Sequence, residues 1–242
     1  MVETRPIPHL PAQFAHMAAV IPPEWQLLFM GTPDSIAFMR SSRVISNLEA
    51  SQRLRFTELP DNYSVKDRES ISQMFTDHHL YASILAPAEH LLVFQPDAIF
   101  CVNSEQSLND YLEWDWIGAP WGPKIEFGGN GGLSLRKVSK ILQVLEKRKR
   151  RPGDGALEDL WLVNQIHALE NSHLPNATIS KHFSVESVWD DRPLGYHIGY
   201  LGVHHEQIWD DPKQVDHVFE YCPEVSLIMK MEMKGDKPKG IE

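Results

Sequence analysis

The sequence predicts a single-domain α/β protein, and three observations carry that expectation. Short apolar runs at 25–30, 54–56 and 91–94 alternate with stretches of helical periodicity. The run at 91–94 is continuously apolar, which suits a strand covered on both faces. No internal repeat or interdomain linker interrupts residues 1–234, which read as one domain followed by a polar tail at 235–242.

Taken in order, residues 13–20 form a short helix set among Pro8, Pro11, Pro22 and Pro23. The strand WQLLFM at 25–30 is stopped by Gly31, Thr32 and Pro33, and Pro33 then sits near the start of a short helix at 34–40. A brief strand at 54–56 precedes one helix at 70–84 that turns Ile71, Phe75 and Leu80 to the sheet. The strand at 91–94 ends at Pro96, which cannot donate to a ladder, and so presents Asp97 at its carboxyl edge. Open α/β sheets place ligands at that edge.

A helical turn is expected at 108–112 and an extended piece at 116–119, ending at Pro120. Gly128 to Gly132 is interrupted only by Asn130 and leads through 133–135 into a helix at 137–149, with Val138, Ile141, Leu142 and Leu145 on one face. After a break at 151–155, a helix at 157–169 offers Leu160, Val163, Ile166 and Leu169 for packing. Residues 183–188 read as extended and 211–221 as the last full helix, with 227–233 packing loosely after it.

Composition narrows the function classes. With 42% hydrophobic and 23% charged residues the chain has the balance of a water-soluble globular protein, and its net charge of -10 argues against a general nucleic-acid surface. An anionic ligand must then be met by local amides, a cation or a bound metal. The basic run from Lys147 to Arg151 follows a helix and reads as a solvated terminus. Cys101 and Cys222 are the only cysteines; they can pair, but their spacing does not decide whether they do. No 18 consecutive residues are apolar, so no transmembrane segment is expected, and a cytoplasmic protein and the lumenal part of an anchored one both remain open. Oligomeric state is unconstrained.

Several residues carry candidate chemistry. Asp97 can hold a divalent ion or cap a local turn. The glycine loop allows close backbone approach and exposed amides, or is a plain surface loop; Arg136 beyond it reaches an anion or a neighbouring carboxylate. Trp114, Trp116 and Trp121 supply flat apolar surface for a sugar or base, or serve as core or lid. Glu158 and Asp159 open a helix, where the dipole favours them, and one of the two can accept a proton from a hydroxyl. Adjacent helix positions point about 100° apart, so only one of them is expected to face a cleft. His197 can complete a metal site or be a structural histidine; His78, His79, His204 and His205 are weaker candidates.

An ordered set of segments resembles a glycosyltransferase-like family of unknown detailed function, common in fungi, whose members look like GT-A sugar-nucleotide transferases. The segments are VETRP at 2–6, LVFQPD at 92–97, WIGAPW at 116–121, GNGGLSLR at 129–136, LED at 157–159, FSVE at 183–186 and PLGYH at 193–197. The resemblance implies a mostly parallel central sheet flanked by helices, and transfer of a sugar from a nucleotide diphosphate sugar to a hydroxyl acceptor. The alternative it leaves is an inactive carbohydrate- or nucleotide-sugar-binding relative.

By the same resemblance, the Asp-x-Asp element of such enzymes corresponds to Gln95, Pro96 and Asp97, with the first acid absent. Asp97 is then the carboxylate for Mn2+ or Mg2+, helped by His197, and Gln95 a partner for ribose or phosphate. Thr4 and Arg5 fall on the nucleotide side at the end of a first strand whose hydrophobic lead-in is largely missing, so a shortened first strand is expected. Asn130, Gly131, Gly132 and Arg136 lie along donor sugar and acceptor, with Trp116 and Trp121 as substrate faces. Asp159, or less readily Glu158, manages the acceptor proton.

Overall fold

The structure is a computed structural model, and it describes residues 1–199 and 206–229. The chain opens with α1 (Leu10–Val20), β1 (Leu27–Gly31), α2 (Pro33–Arg40), α3 (Arg43–Ala50) and β2 (Leu54–Glu58). Thr32 caps α2 by accepting from the Ser35 N–H, with Pro33 in the first turn as expected. Leu27 through Gly31 pair in parallel with Leu54 through Glu58. Val2 extends this parallel array by a bridge to Met30, with Glu3 N–H donating to the Met30 carbonyl at 2.9 Å. A cavity of about 570 Å³ lies between β1 and the next strand, β3 (His90–Phe94), lined by Met1, Leu28, Leu85 and Leu92 among others.

Between β2 and β3 the single helix expected at 70–84 is two pieces, α4 (Arg68–Phe75) and a π-helical turn at Leu80–Ile84. Asp77 interrupts it: its carboxylate accepts from the His79 N–H at 3.0 Å and the Tyr63 hydroxyl at 2.9 Å, so local side-chain bonds replace helical ones. After β3 come β4 (Ala98–Phe100), a 3₁₀ turn at Leu108–Tyr111, β5 (Trp116–Gly118), β6 (Leu133–Lys137) and α5 (Val138–Leu145). The chain continues with α6 (Glu158–His167), α7 (Ala177–Phe183), β7 (Ser184–Val185), β8 (Gly195–His197), α8 (Glu206–Trp209), α9 (Pro212–Tyr221) and α10 (Val225–Met229). Residues 230–242, including the expected tail and the end of the 227–233 segment, lie outside the described residues.

The architecture is mixed α/β, but the mostly parallel central sheet expected from resemblance is not the observed pairing. Among the described residues the strands form three small sheets, ordered β1-β2, β3-β6-β5 and β4-β8-β7. β6 runs antiparallel to both β3 and β5, and β4 antiparallel to β8, while β7 and β8 are parallel. The reason is local. Parallel neighbours need a crossover, usually helical, whereas β5 returns to β6 through a Gly- and Pro-rich loop and so pairs with it antiparallel.

Two apolar cores result. One gathers Leu10, Phe14 and Met17 of α1 against Phe29, Phe94, Ile99 and Phe100, with the Phe14 and Phe29 rings edge to face at 5.7 Å. The other packs Ile141 and Val144 of α5 and Leu162, Val163 and Ile166 of α6 against Trp116, Tyr81 and Val93. Each fully buried Phe or Leu in them stabilises the fold by roughly 1.5–3 kcal/mol. Among the described residues no helix is long and apolar enough to cross a membrane.

Candidate functional site

Asp97 and His197 meet because β4 and β8 pair. Ala98 stands opposite His197, the Ile198 N–H donates to the Asp97 carbonyl at 2.9 Å, and the imidazole Nε2 comes within 3.4 Å of Asp97 Oδ1. The turn that presents Asp97 is fixed from three sides. Gln95 N–H donates to Gly132 O at 2.8 Å, Ala98 N–H to Gln95 O at 3.1 Å, and the buried Gln13 amide of α1 to both Gln95 O and Ala98 O. The strand ends at Phe94, two residues before Pro96, which has no N–H to carry the ladder on.

Glu186, just beyond β7, closes the other side of the imidazole, with Oε1 3.1 Å from His197 Nδ1. His197 is 4% exposed, and neither ring nitrogen has a partner at hydrogen-bond geometry, although both carboxylates are at ion-pair distance. Burial alone would push the imidazole pKa down; the carboxylates of Asp97 and Glu186 outweigh it and raise it to about 10. The cluster is therefore an imidazolium held between two acids.

The glycine loop packs directly on this cluster. A β-carbon on Gly132 would lie 2.3 Å from His197 Nε2 and 2.6 Å from Gln95 Oε1, so a side chain there has no room. Asn130 ties the loop to Glu186 through its amide at 3.3 Å and accepts the Gly132 N–H at 2.6 Å. The N–H of Gly131 goes to Asp159 Oδ2 at 3.1 Å, and that of Asn130 to Ala119 O at 2.8 Å. The expectation of exposed successive amides is thus corrected, because the amides of residues 130, 131 and 132 all have protein acceptors.

Behind the loop lies a second charged group. Arg136 is fully buried, its guanidinium 4.0 Å from the Trp116 ring centroid and 4.9 Å from that of Phe75. It donates to Ser134 Oγ, to Gly131 O, and to both oxygens of Glu158 at 3.0 and 2.9 Å. Arg136 therefore takes the neighbouring carboxylate rather than an anionic ligand. Glu158 is corrected likewise: burial pushes its carboxyl up to about 7 against the pull of Arg136, and its bidentate pairing leaves it no access to an acceptor. Trp116 is fully buried, with its indole N–H on Gly129 O at 3.1 Å, so it builds the wall behind the loop and offers no face to a sugar.

Asp159 is half-buried on the loop side, accepting from Gly131 and from the Leu160 N–H at 2.8 Å, so of the two acids it is the one at the surface of the site. Trp121 is also partly exposed and packs near Gly128. On the other flank, Thr4 accepts the Thr32 hydroxyl at 3.1 Å through its carbonyl, and Arg5 is held by Glu3, its side chain 64% exposed. His9 links this segment to the Asp97 turn: its Nε2 meets Pro96 O at 3.0 Å, and burial lowers its pKa against the opposing pull of the Pro96 carbonyl, Asp97 and Glu3.

Sequence reasoning gave Glu186 no role, although it ends the FSVE segment; a lone acid after a two-residue strand carries no periodic signal. His78 and His79 are exposed and apart from the cluster, and His204 and His205 lie outside the described residues. A divalent ion fits in part. Asp97 Oδ1 and, once its proton is released, His197 Nε2 face each other as two donors, as few as a phosphate-bridging ion takes from protein. Among the described residues no group of three His, Cys, Asp or Glu is arranged to hold a metal by itself.

Together these features define a mixed α/β protein whose polar chemistry is concentrated where one strand turn, one late histidine and a glycine loop converge. The chain belongs to the family described as "protein of unknown function (DUF5672)", whose model matches residues 53–197. That span starts one residue before β2 and ends on His197. No curated protein matches the chain.

Proposed function

We propose that the protein is a glycosyltransferase of GT-A type that moves a sugar from a nucleotide diphosphate sugar to a hydroxyl acceptor. The observation that carries this reading is the convergence of Asp97, His197 and Gly132 on one another, since a donor diphosphate needs a carboxylate-bound cation beside a backbone it can approach closely. The parallel run of Val2, β1 and β2 supports the nucleotide-binding half of such a fold.

Asp97 and His197 would hold Mn2+ or Mg2+, the imidazole giving up its proton to do so, and the ion would supply positive charge against the diphosphate. Gln95, its Oε1 near Gly132, bonds ribose or phosphate without adding charge. Thr4 and the exposed Arg5 flank the nucleotide. Trp121 and Asn130 border the sugar. During transfer the bond from the anomeric carbon to the diphosphate oxygen breaks, the acceptor oxygen bonds that carbon, and Asp159 accepts the hydroxyl proton.

A second reading, a nucleotide-sugar-binding relative without turnover, is favoured by Gln95 standing where an acid would add charge and by the engaged amides of residues 130–132. Asp97→Asn separates either reading from a purely structural role. At fixed Mn2+ it should weaken nucleotide diphosphate binding by about tenfold or more, in keeping with roughly 1.5–3 kcal/mol for a charged contact. Unchanged affinity would remove Asp97 from the site. Product formation by the wild-type chain favours transfer, and donor binding without product favours the second reading.

A further inference from the structure

Cys101 follows β4 directly and Cys222 follows α9, and the two are joined as a disulfide with their Cα atoms 5.0 Å apart. Cys101 lies inside the span that matches the family, whereas Cys222 lies 25 residues beyond its end at residue 197. The crosslink therefore ties a segment outside the matched span to a strand within it.

Its surroundings form a docking seam. The Cys101 N–H donates to Leu194 O at 2.8 Å, the Val102 N–H to Glu224 Oε1 at 2.9 Å, the Asn103 amide to Tyr221 O at 2.9 Å, and the Tyr221 hydroxyl to Pro193 O at 2.9 Å. Val218, Cys222, Val225 and Ile228 are buried in the first core. The strand pair at this seam is the one that carries Asp97 and His197 at its other end.

We infer that Cys101–Cys222 is a structural crosslink made during folding in an oxidising compartment, and that it clamps α9 and α10 onto the β4–β8 pair. Two S–H bonds are lost and one S–S bond is made, with two electrons and two protons passing to an acceptor disulfide that becomes a dithiol. Both cysteines are almost fully buried, at 3% and 0% exposure, so once made the bond is shielded from exchange with soluble thiols. It closes a loop with a sequence separation of 121 that contains β5, the glycine loop, α6 and β8, and so restricts the unfolded chain widely. Disulfides of this kind persist in secretory and extracellular settings and are rare where thiols are kept reduced. The inference is independent of the proposed transfer.

The test is alkylation of the full chain, made through a secretory route and denatured without reductant, followed by intact-mass measurement. No alkylated thiol before reduction and two after it are expected; two alkylated thiols before reduction would overturn the inference. The C101A/C222A double variant, compared with the oxidised wild type, supplies a second reading. Its thermal midpoint should fall on the order of 10 °C, and limited proteolysis should begin C-terminal to His197. A midpoint and cleavage pattern unchanged in that variant would show that the bond clamps nothing.

Discussion

On one side of Gly131 and Gly132, Arg136 and Glu158 are buried together with their donors and acceptors spent on each other, on Ser134 and on the loop carbonyl, between two aromatic rings. On the other side, His197 is buried between Asp97 and Glu186 at ion-pair distance, yet both ring nitrogens lack hydrogen-bond geometry. The first group is geometrically complete and has nothing to offer a ligand. The second carries an excess of negative charge over its one cation, with Asp97 partly exposed at 14%. Two clusters with similar residue types thus play opposite parts: one sets the loop, and the other is left able to exchange partners.

Removing one member of the complete cluster should have the largest effect. Glu158→Gln leaves the Arg136 charge buried without its counter-ion and should cost about 3–5 kcal/mol in urea unfolding. The double variant Arg136→Met with Glu158→Leu should recover most of that loss, since apolar replacements of buried pairs are often near neutral. Equal destabilisation by the double variant would mean that the loop needs the charges themselves.

The open cluster should respond to pH instead. The folded chain holds the His197 proton more tightly than the unfolded one, with a pKa raised from 6.5 to about 10. Its contribution is therefore fully present below about pH 6.5 and is lost as pH rises toward 10, with a slope approaching ~1.4 kcal/mol per pH unit in that window. Unfolding series across these pH values should show the decline, and His197→Gln should flatten it. A flat wild-type profile would contradict the imidazolium assignment.

A smaller effect tests the contact between loop and cluster. Gly132→Ala must displace the imidazole or Gln95 and should cost roughly 1–3 kcal/mol by thermal unfolding. Gly155→Ala, where an added carbon meets nothing within 4 Å, should change stability by less than about 0.5 kcal/mol. Similar costs at both positions would mean that the loop does not rest on His197.

Much of the fold was legible because it was local. Pro33 announced α2, Pro96 stands just past the end of β3, and the apolar spacing of Val138, Ile141 and Leu145 marked α5. What stayed hidden was set by partners far along the chain. β4 and β8 have three residues each, too few to show a period, and they exist through pairing between Phe100 and Gly195, Ile99 and Tyr196, Ala98 and His197. α7 was not expected: it has seven residues, and Asn176, which caps it by accepting from the Ile179 N–H, is a residue type equally common in turns.

The site shows the same division. Asp97, His197 and the glycine loop could be singled out by residue type, and they do come together. For Arg136 a neighbouring carboxylate was one of two readings and the sequence could not choose, since one charged residue beside a loop and another at a helix start do not reveal that both face inward at 2.9 Å. Glu186 was missed for the same reason: its role comes from the β7–β8 pairing that brings it to the imidazole.

The most direct test of the central claim is calorimetric titration of the folded chain with a panel of nucleotide diphosphate sugars, with and without Mn2+. At least one donor should bind, more tightly with the ion than without it, and Asp97→Asn should abolish the difference. No heat with any donor under either condition, from protein shown to be folded, would contradict it.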